Sequence, residues 1–193
     1  MPAFHLTSPD LRPTLPTWAV VSPERMAHIE RVVVLVRGWA DAMTVAETER
    51  ARWLRAAWLH DALRDAAPAE LERWAPSDEG PAELRHGPAS AARAAADGET
   101  DRGVLEAVRY HSLGFAGWDL VGRVLYAADF LEPGRRFDHE ERAALARRFP
   151  ADPTMVLHEV ARRRLVHIVR SGWTLPEPTV RFWNALAATS SER

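Results

Sequence analysis

The sequence predicts an all-α fold, a helical bundle of about eight helices joined by short loops. Apolar residues recur at three- and four-residue spacing from Pro23 onward, the period of a helix face. No run of four or more residues alternates in the strand manner, and there is no internal repeat. Residues favoured at helix starts, with Pro or Gly at the stops, punctuate the chain.

Residues 1–22 carry Pro2, Pro13 and Pro16 without a sustained apolar period and read as an irregular N-terminal extension, while residues 23–190 read as one helical domain. Pro23 opens the first helix, with Met26, Ile29, Val33 and Val36 at helical spacing and a break expected near Gly38. Thr44 and Glu47 read as a capping box for a second helix, which carries Trp53, Leu54, Ala57, Trp58 and Asp61 and runs to about Arg64. Pro68 starts a short third helix over Leu71 and Trp74 that ends at Pro76, and residues 77–81 read as a loop. A fourth helix begins near Pro88, since Pro is favoured in a first turn, and runs through alanines to Gly98. Thr100 is the expected cap of the next, over Val104, Leu105 and Val108 to about Tyr110. Another spans Asp119 to Leu131 and stops before Pro133. Asp138 with Glu141 makes a second start of the capping-box kind. Asp152-Pro153 opens a long helix closed by Gly172, and Pro176 opens the last, with Val180, Trp183 and Leu186.

Composition narrows the chemistry. A chain of 193 residues, 47% hydrophobic and 27% charged, suits one domain with a sizeable core. No apolar stretch approaches the roughly eighteen residues of a membrane span. Met1 to Val21 lacks the basic-then-apolar order of a secretory signal. A cytoplasmic protein with no membrane partner is therefore expected. A net charge of −2 argues against a nucleic-acid partner. Cysteine is absent, which removes disulfides, zinc-thiolate sites, iron–sulfur clusters and thiol nucleophiles together. Lysine is absent too: all 25 basic residues are Arg, so Schiff-base chemistry and a lysine base are excluded. Eight His and 27 carboxylates remain for metal or acid–base work.

Among them, His28, the dipeptide His60-Asp61, His86, His111 and Asp129 stand out by placement. Each lies in or at the end of a different expected helix, beside small or apolar residues. Asp129 sits in the run Val124-Leu125-Tyr126-Ala127-Ala128, where a carboxylate is costly to bury unless paired or metal-bound. A bundle can bring these helices to one centre, offering four imidazoles and two carboxylates. A sulfur-free set of that kind suits iron, manganese or zinc. His5, His139, His158 and His167 fall outside this pattern, and Arg162-Arg163-Arg164 reads as a solvated face. The Trp residues sit mostly at core spacing, Trp118 included.

The order His, His-Asp, His, His, Asp resembles the dinuclear pattern of the HD-domain metal-dependent phosphohydrolases. The finer likeness is to the YqeK-type branch, symmetrical hydrolases of diadenosine tetraphosphate. It rests on Met26-Ala27-His28-Ile29-Glu30-Arg31-Val32, Trp58-Leu59-His60-Asp61 and Leu84-Arg85-His86-Gly87-Pro88. The most specific blocks are Val108-Arg109-Tyr110-His111-Ser112-Leu113-Gly114 and Leu125-Tyr126-Ala127-Ala128-Asp129-Phe130-Leu131-Glu132-Pro133-Gly134-Arg135. The likeness runs over about residues 24–188, through Pro178-Thr179-Val180. Arg64 and Arg123 stand where the family usually has Lys, Ser112 where it has Thr, and Trp118 where Met is common.

The resemblance implies two divalent or trivalent metal ions, iron first, with manganese or other divalent ions as alternatives. His28, His60, Asp61 and Asp129 would hold one, and Asp61, His86 and His111 the other, with Asp61 bridging. It implies a dinucleoside polyphosphate substrate, split into two ADP by a metal-bound hydroxide, and it allows a homodimer. Asp61, Arg135 and Arg64 are the expected catalytic residues, and Arg135, Arg109 and Ser112 the expected contacts to substrate. Guanidinium suits that second task, because it can bind phosphate bidentately. Two alternatives stay open: an HD enzyme acting on a monophosphate, deoxynucleotide or cyclic nucleotide, and a non-catalytic HD module that binds metal or nucleotide.

Overall fold

The computed structural model describes residues 14–76, 82–135 and 137–190. Among these residues it is entirely helical, with nine α-helices and one short 3₁₀ turn over Ala82–Leu84. In chain order they are α1 (Pro23–Ala42), α2 (Glu47–Leu59), α3 (Pro68–Trp74), α4 (His86–Ala96), α5 (Arg102–Tyr110), α6 (Leu120–Leu131), α7 (His139–Arg148), α8 (Pro153–Arg170) and α9 (Glu177–Ser190). The all-α reading holds, and each of the helix starts read from the sequence has its helix, nine where about eight were expected. His5 and the loop expected at residues 77–81 lie outside the described residues, as does most of the N-terminal extension. No described helix is long and apolar enough to cross a membrane.

The helix starts follow local chemistry. Ser22, Asp101, Asp119 and Asp152 each accept a backbone N–H of the first turn they cap, from Arg25, Val104, Val121 and Met155 respectively. These bonds satisfy donors that a helix N-terminus otherwise leaves unpaired. Asp101 takes the role expected of Thr100.

Neither expected capping box forms. Thr44 has φ 50° and Asp138 φ 53°, both left-handed, and neither α2 nor α7 has a side-chain cap. Thr44 instead serves the end of α1: its N–H donates to Asp41 O, and that of Val45 to Ala40 O. The break expected at Gly38 is absent because packing continues past it. Trp39 and Ala40 are buried, Trp39 stacks on Phe149 at 3.9 Å, and its indole N–H donates to Ala146 O at 2.9 Å. That burial outweighs the roughly 1 kcal/mol a helical glycine costs.

The second helix stops at Leu59 rather than Arg64. Beyond it Ala62, Arg64 and Ala66 donate three residues back in tight turns, which bend His60 and Asp61 inward. α1, α2, α5 and α6 pack around one another, with Ile29, Val32, Val36, Trp53, Val104, Val108, Val124 and Leu125 at their centre. α4 lies against α5, α8 covers α6, and α9 lies on α8, placing Phe182 against Trp118 and Tyr126. Trp118 is buried in the core, as its spacing indicates.

Candidate metal centre

Five helices or their ends converge on one buried space. α1 brings His28, the turns after α2 bring His60 and Asp61, α4 opens on His86, α5 ends at His111, and α6 carries Asp129. All six side chains are buried. Gly87 makes the closest of these approaches feasible. A Cβ there would stand 2.9 Å from Arg109 O and 3.1 Å from Val108 O, so α4 lies directly on the α5 backbone.

Asp61 is the centre of the arrangement. Its Oδ1 faces His86 Nε2 at 3.2 Å and His111 Nε2 at 3.4 Å, while its Oδ2 faces His60 Nε2 at 3.6 Å and His28 Nε2 at 3.7 Å. Asp129 Oδ1 lies 3.2 Å from His28 Nε2. His28, His60 and Asp61 form one group able to hold a metal ion, and Asp61, His86 and His111 form another.

The opposite nitrogen of each ring is tied to an acceptor. His60 Nδ1 donates to Ala57 O, His86 Nδ1 to Glu83 O and His111 Nδ1 to Val108 O, while His28 Nδ1 faces Glu132 Oε1 at 3.1 Å. With the proton on Nδ1, each Nε2 presents a lone pair to the centre. The Nε2 atoms also face one another, His28 to His60 at 3.3 Å and His86 to His111 at 3.2 Å, so a proton can serve at most one ring of each pair. Burial pushes His60 down to about 4 and lowers His86, which keeps both neutral at neutral pH.

At Asp61 burial opposes ionisation, but the carboxyl is held well below its usual range where His60, His111 and His86 turn a protonated nitrogen toward it. At Asp129 burial is likewise outweighed, by Arg135, His28 and Arg164. His28 is raised, the carboxylates of Asp129 and Glu132 prevailing over burial. Buried lone pairs and carboxylate oxygens aimed at one point are mutually repulsive without a cation. Donor atoms around an ion with bonds of about 2.1 Å stand about 3.0–3.4 Å apart, close to the separations at Asp61. The residues therefore fit a divalent metal.

The remaining expected residues are spread around this centre. Ser112 Oγ lies 3.1 Å from His111 Nε2, within the site. Arg135 Nη2 donates to Asp129 Oδ1 at 2.6 Å and to Asp129 O at 3.1 Å, with the side chain 39% exposed at the rim. Arg64 lies behind His86, its Nη1 donating to Glu83 O at 2.6 Å. Arg109 lines a cleft with Trp74, Ala75, Pro76, Arg85 and Pro88. His158 packs on Trp183 and His167 on Trp173, both away from the centre.

Three residues were not singled out by sequence. Glu132 is buried beneath His28 and also accepts Arg31 Nε at 2.5 Å and Gly134 N at 2.6 Å. Arg25 Nη1 donates to Asp61 Oδ2 at 2.7 Å. Arg164 Nη2 donates to Asp129 Oδ2 at 2.7 Å. The expectation of a solvated Arg162–Arg164 face thus fails at Arg164. Leu157 and Val160, seven and four residues before it, are both buried, so helical spacing already placed Arg164 on the inner face of α8.

A helical bundle that turns four imidazoles toward one shared carboxylate has the makings of a metal centre of the HD type. The chain belongs to the HD domain family, whose model matches residues 25–134. HD domains bind divalent metals through such His and Asp groups. Over 75 residues the chain is 39% identical to the "Bis(5'-nucleosyl)-tetraphosphatase, symmetrical" of Bacillus subtilis (strain 168), a match covering 38% of this chain and 37% of that enzyme. The chain thus matches well under half of that relative's length. The fold is similar to that of a predicted HD superfamily hydrolase involved in NAD metabolism from Clostridium acetobutylicum. That likeness has a TM-score of 0.75 and 21% identity, over 88% of this chain and 92% of the other.

Proposed function

We propose that residues 23–190 form a phosphohydrolase domain that cleaves diadenosine tetraphosphate, and related dinucleoside polyphosphates, symmetrically into two ADP. The carrying observation is the two-sided Asp61 carboxylate, with one oxygen toward His28 and His60 and the other toward His86 and His111. That geometry supports a dinuclear centre in which His28, His60, Asp61 and Asp129 hold one ion and Asp61, His86 and His111 the other. Iron is the first candidate, with manganese or other divalent ions as alternatives. The choice of substrate draws on the symmetrical tetraphosphatase to which the chain is 39% identical over 75 residues.

Bound metal ions supply the acidification of a water molecule and the neutralisation of phosphate oxygens. The protein residues orient and balance charge. Glu132 and the carbonyls of Ala57, Glu83 and Val108 fix each imidazole by its Nδ1, which sets the direction of the inward nitrogen. Arg135, at the exposed rim, is placed to take a phosphate oxygen and stabilise the leaving ADP. Ser112 can donate its hydroxyl to a phosphate beside His111. Arg64, against the Glu83 carbonyl, adds permanent positive charge behind His86 and does not serve as a proton donor. In this reading Arg109, lining its own cleft, contacts the substrate as well. In balance, water adds across the central anhydride: one P–O bond forms, one breaks, and each product carries two phosphates.

The test is incubation of metal-loaded protein with diadenosine tetraphosphate and chromatography of the products. ADP as the sole product is expected, and AMP with ATP would overturn symmetrical cleavage. Bound metal with no turnover across a nucleotide panel would favour a binding module instead. Asp61→Ala is expected to abolish both metal content and activity, because it removes the one carboxylate shared by both groups.

A further inference from the structure

The family match ends at residue 134, yet a side chain from α8, beyond it, reaches into the centre. We propose that Arg164 is a positioning residue that holds the Asp129 carboxylate in the orientation needed to ligate a metal. Its guanidinium Nη2 takes Asp129 Oδ2 at 2.7 Å, leaving Oδ1 turned toward His28 Nε2 at 3.2 Å. The guanidinium is itself fixed. Its carbon lies 4.3 Å from the centre of the Tyr126 ring and 5.5 Å from that of Phe130, both on α6 with Asp129. Nη1 and Nη2 also approach Ser112 O and Tyr126 O, at 3.4 Å each.

The two arginines on Asp129 divide the work. The Arg164 side chain is 16% exposed and Arg135 39%. Arg135, following the Pro133-Gly134 turn at the rim, can leave Asp129 for an incoming phosphate. Arg164, stacked on Tyr126, stays and keeps the carboxylate from rotating as its other partner departs. A stacked planar guanidinium suits this because little side-chain freedom remains to be lost. Through this contact, α8 acts on a site otherwise built from α1, α2, α4, α5 and α6.

The inference rests on the dinuclear reading above, and metal binding separates the two. Chelator-stripped protein is titrated with Mn²⁺ by calorimetry, comparing wild type, Arg164→Met, Asp129→Asn and the double variant. Wild type is expected to bind two ions. Arg164→Met, which keeps an apolar stem over Tyr126, should weaken one ion at least tenfold and leave the other within threefold. The double variant should be no weaker than Asp129→Asn alone, since Arg164 acts through Asp129. Arg164→Lys, with stem and charge but no planar fork, should lose an intermediate amount, and it stands in should Arg164→Met not fold. Wild-type affinity for both ions in Arg164→Met or Arg164→Lys overturns the inference, as do additive losses in the double variant. A wild-type protein that binds fewer than two ions overturns the dinuclear reading, and the inference with it.

Discussion

His28 depends on a side chain that no ligand pattern names. Glu132 sits beneath the ring, three residues after Asp129 and just past the end of α6, and its carboxylate meets His28 Nδ1, Arg31 and Gly134 N together. Burial opposes its charge, but these three partners lower its pKa to about 2, so it faces the imidazole as a carboxylate. Glu132→Gln keeps an oxygen for the Nδ1–H bond and removes the charge, making His28 a less basic ligand. Metal affinity is expected to fall about 10-fold, toward the lower end of such effects, with the helical signal in circular dichroism unchanged. Calorimetric titration with Mn²⁺ checks this, and an unaltered affinity would remove Glu132 from the centre's support. That His28, His60, Asp61, His86, His111 and Asp129 gather in one place was legible because buried-helix context singled them out. Glu132, Arg25 and Arg164 were not, since their roles are defined by partners 104, 36 and 35 residues away. An arginine among 25 gives no local sign of such a contact. Only the spacing of Arg164 from Leu157 and Val160 carried a hint.

Elements were legible where the signal was local and missed where packing or turn geometry overrode it. Pro23, Asp119 and Asp152-Pro153 mark their helix starts correctly because cap and first-turn chemistry act over three residues. Gly38 misleads because Trp39 is anchored by Phe149 and Ala146, far along the chain. Thr44 misleads because the end of α1 claims its backbone before α2 can use its hydroxyl. The join of α4 to α5 is the element-level feature on which the site depends most, since His86 and His111 stand on either side of it. Gly87 lies on backbone, so a larger residue cannot be accommodated by moving a flexible side chain. Gly87→Val should destabilise the protein by about 1–3 kcal/mol through overpacking. It should also weaken metal binding by forcing His86 away from His111. Denaturant unfolding and metal titration read the two effects separately, and a variant matching wild type in both would show that the close approach is dispensable.

At the scale of the molecule, a metal ion held at this centre would tie together helices that hydrophobic packing alone leaves in unfavourable electrostatic company. His28 and His60 come from α1 and the end of α2, His86 and His111 from α4 and α5, and Asp61 faces both pairs. Without a cation, inward lone pairs and two buried carboxylates repel one another, with Arg25, Arg135 and Arg164 as partial compensation. A metal ion bound to the folded protein, but only weakly to the unfolded chain, adds its binding free energy to folding. At a hundred times its dissociation constant a single ion contributes about 2.7 kcal/mol. For a chain of this size that corresponds to a rise in melting temperature of about 5–11 °C. Protein stripped with a chelator and dialysed should therefore melt at least that far below the metal-loaded form. The difference should grow with metal concentration, and calorimetry or thermal circular dichroism measures it. Asp61→Ala, which removes the shared carboxylate, should make the melting temperature insensitive to metal. Coincident melting of stripped and loaded wild-type protein would mean that the buried imidazoles are held by packing alone, and the centre would lose its role as a tie between the helices.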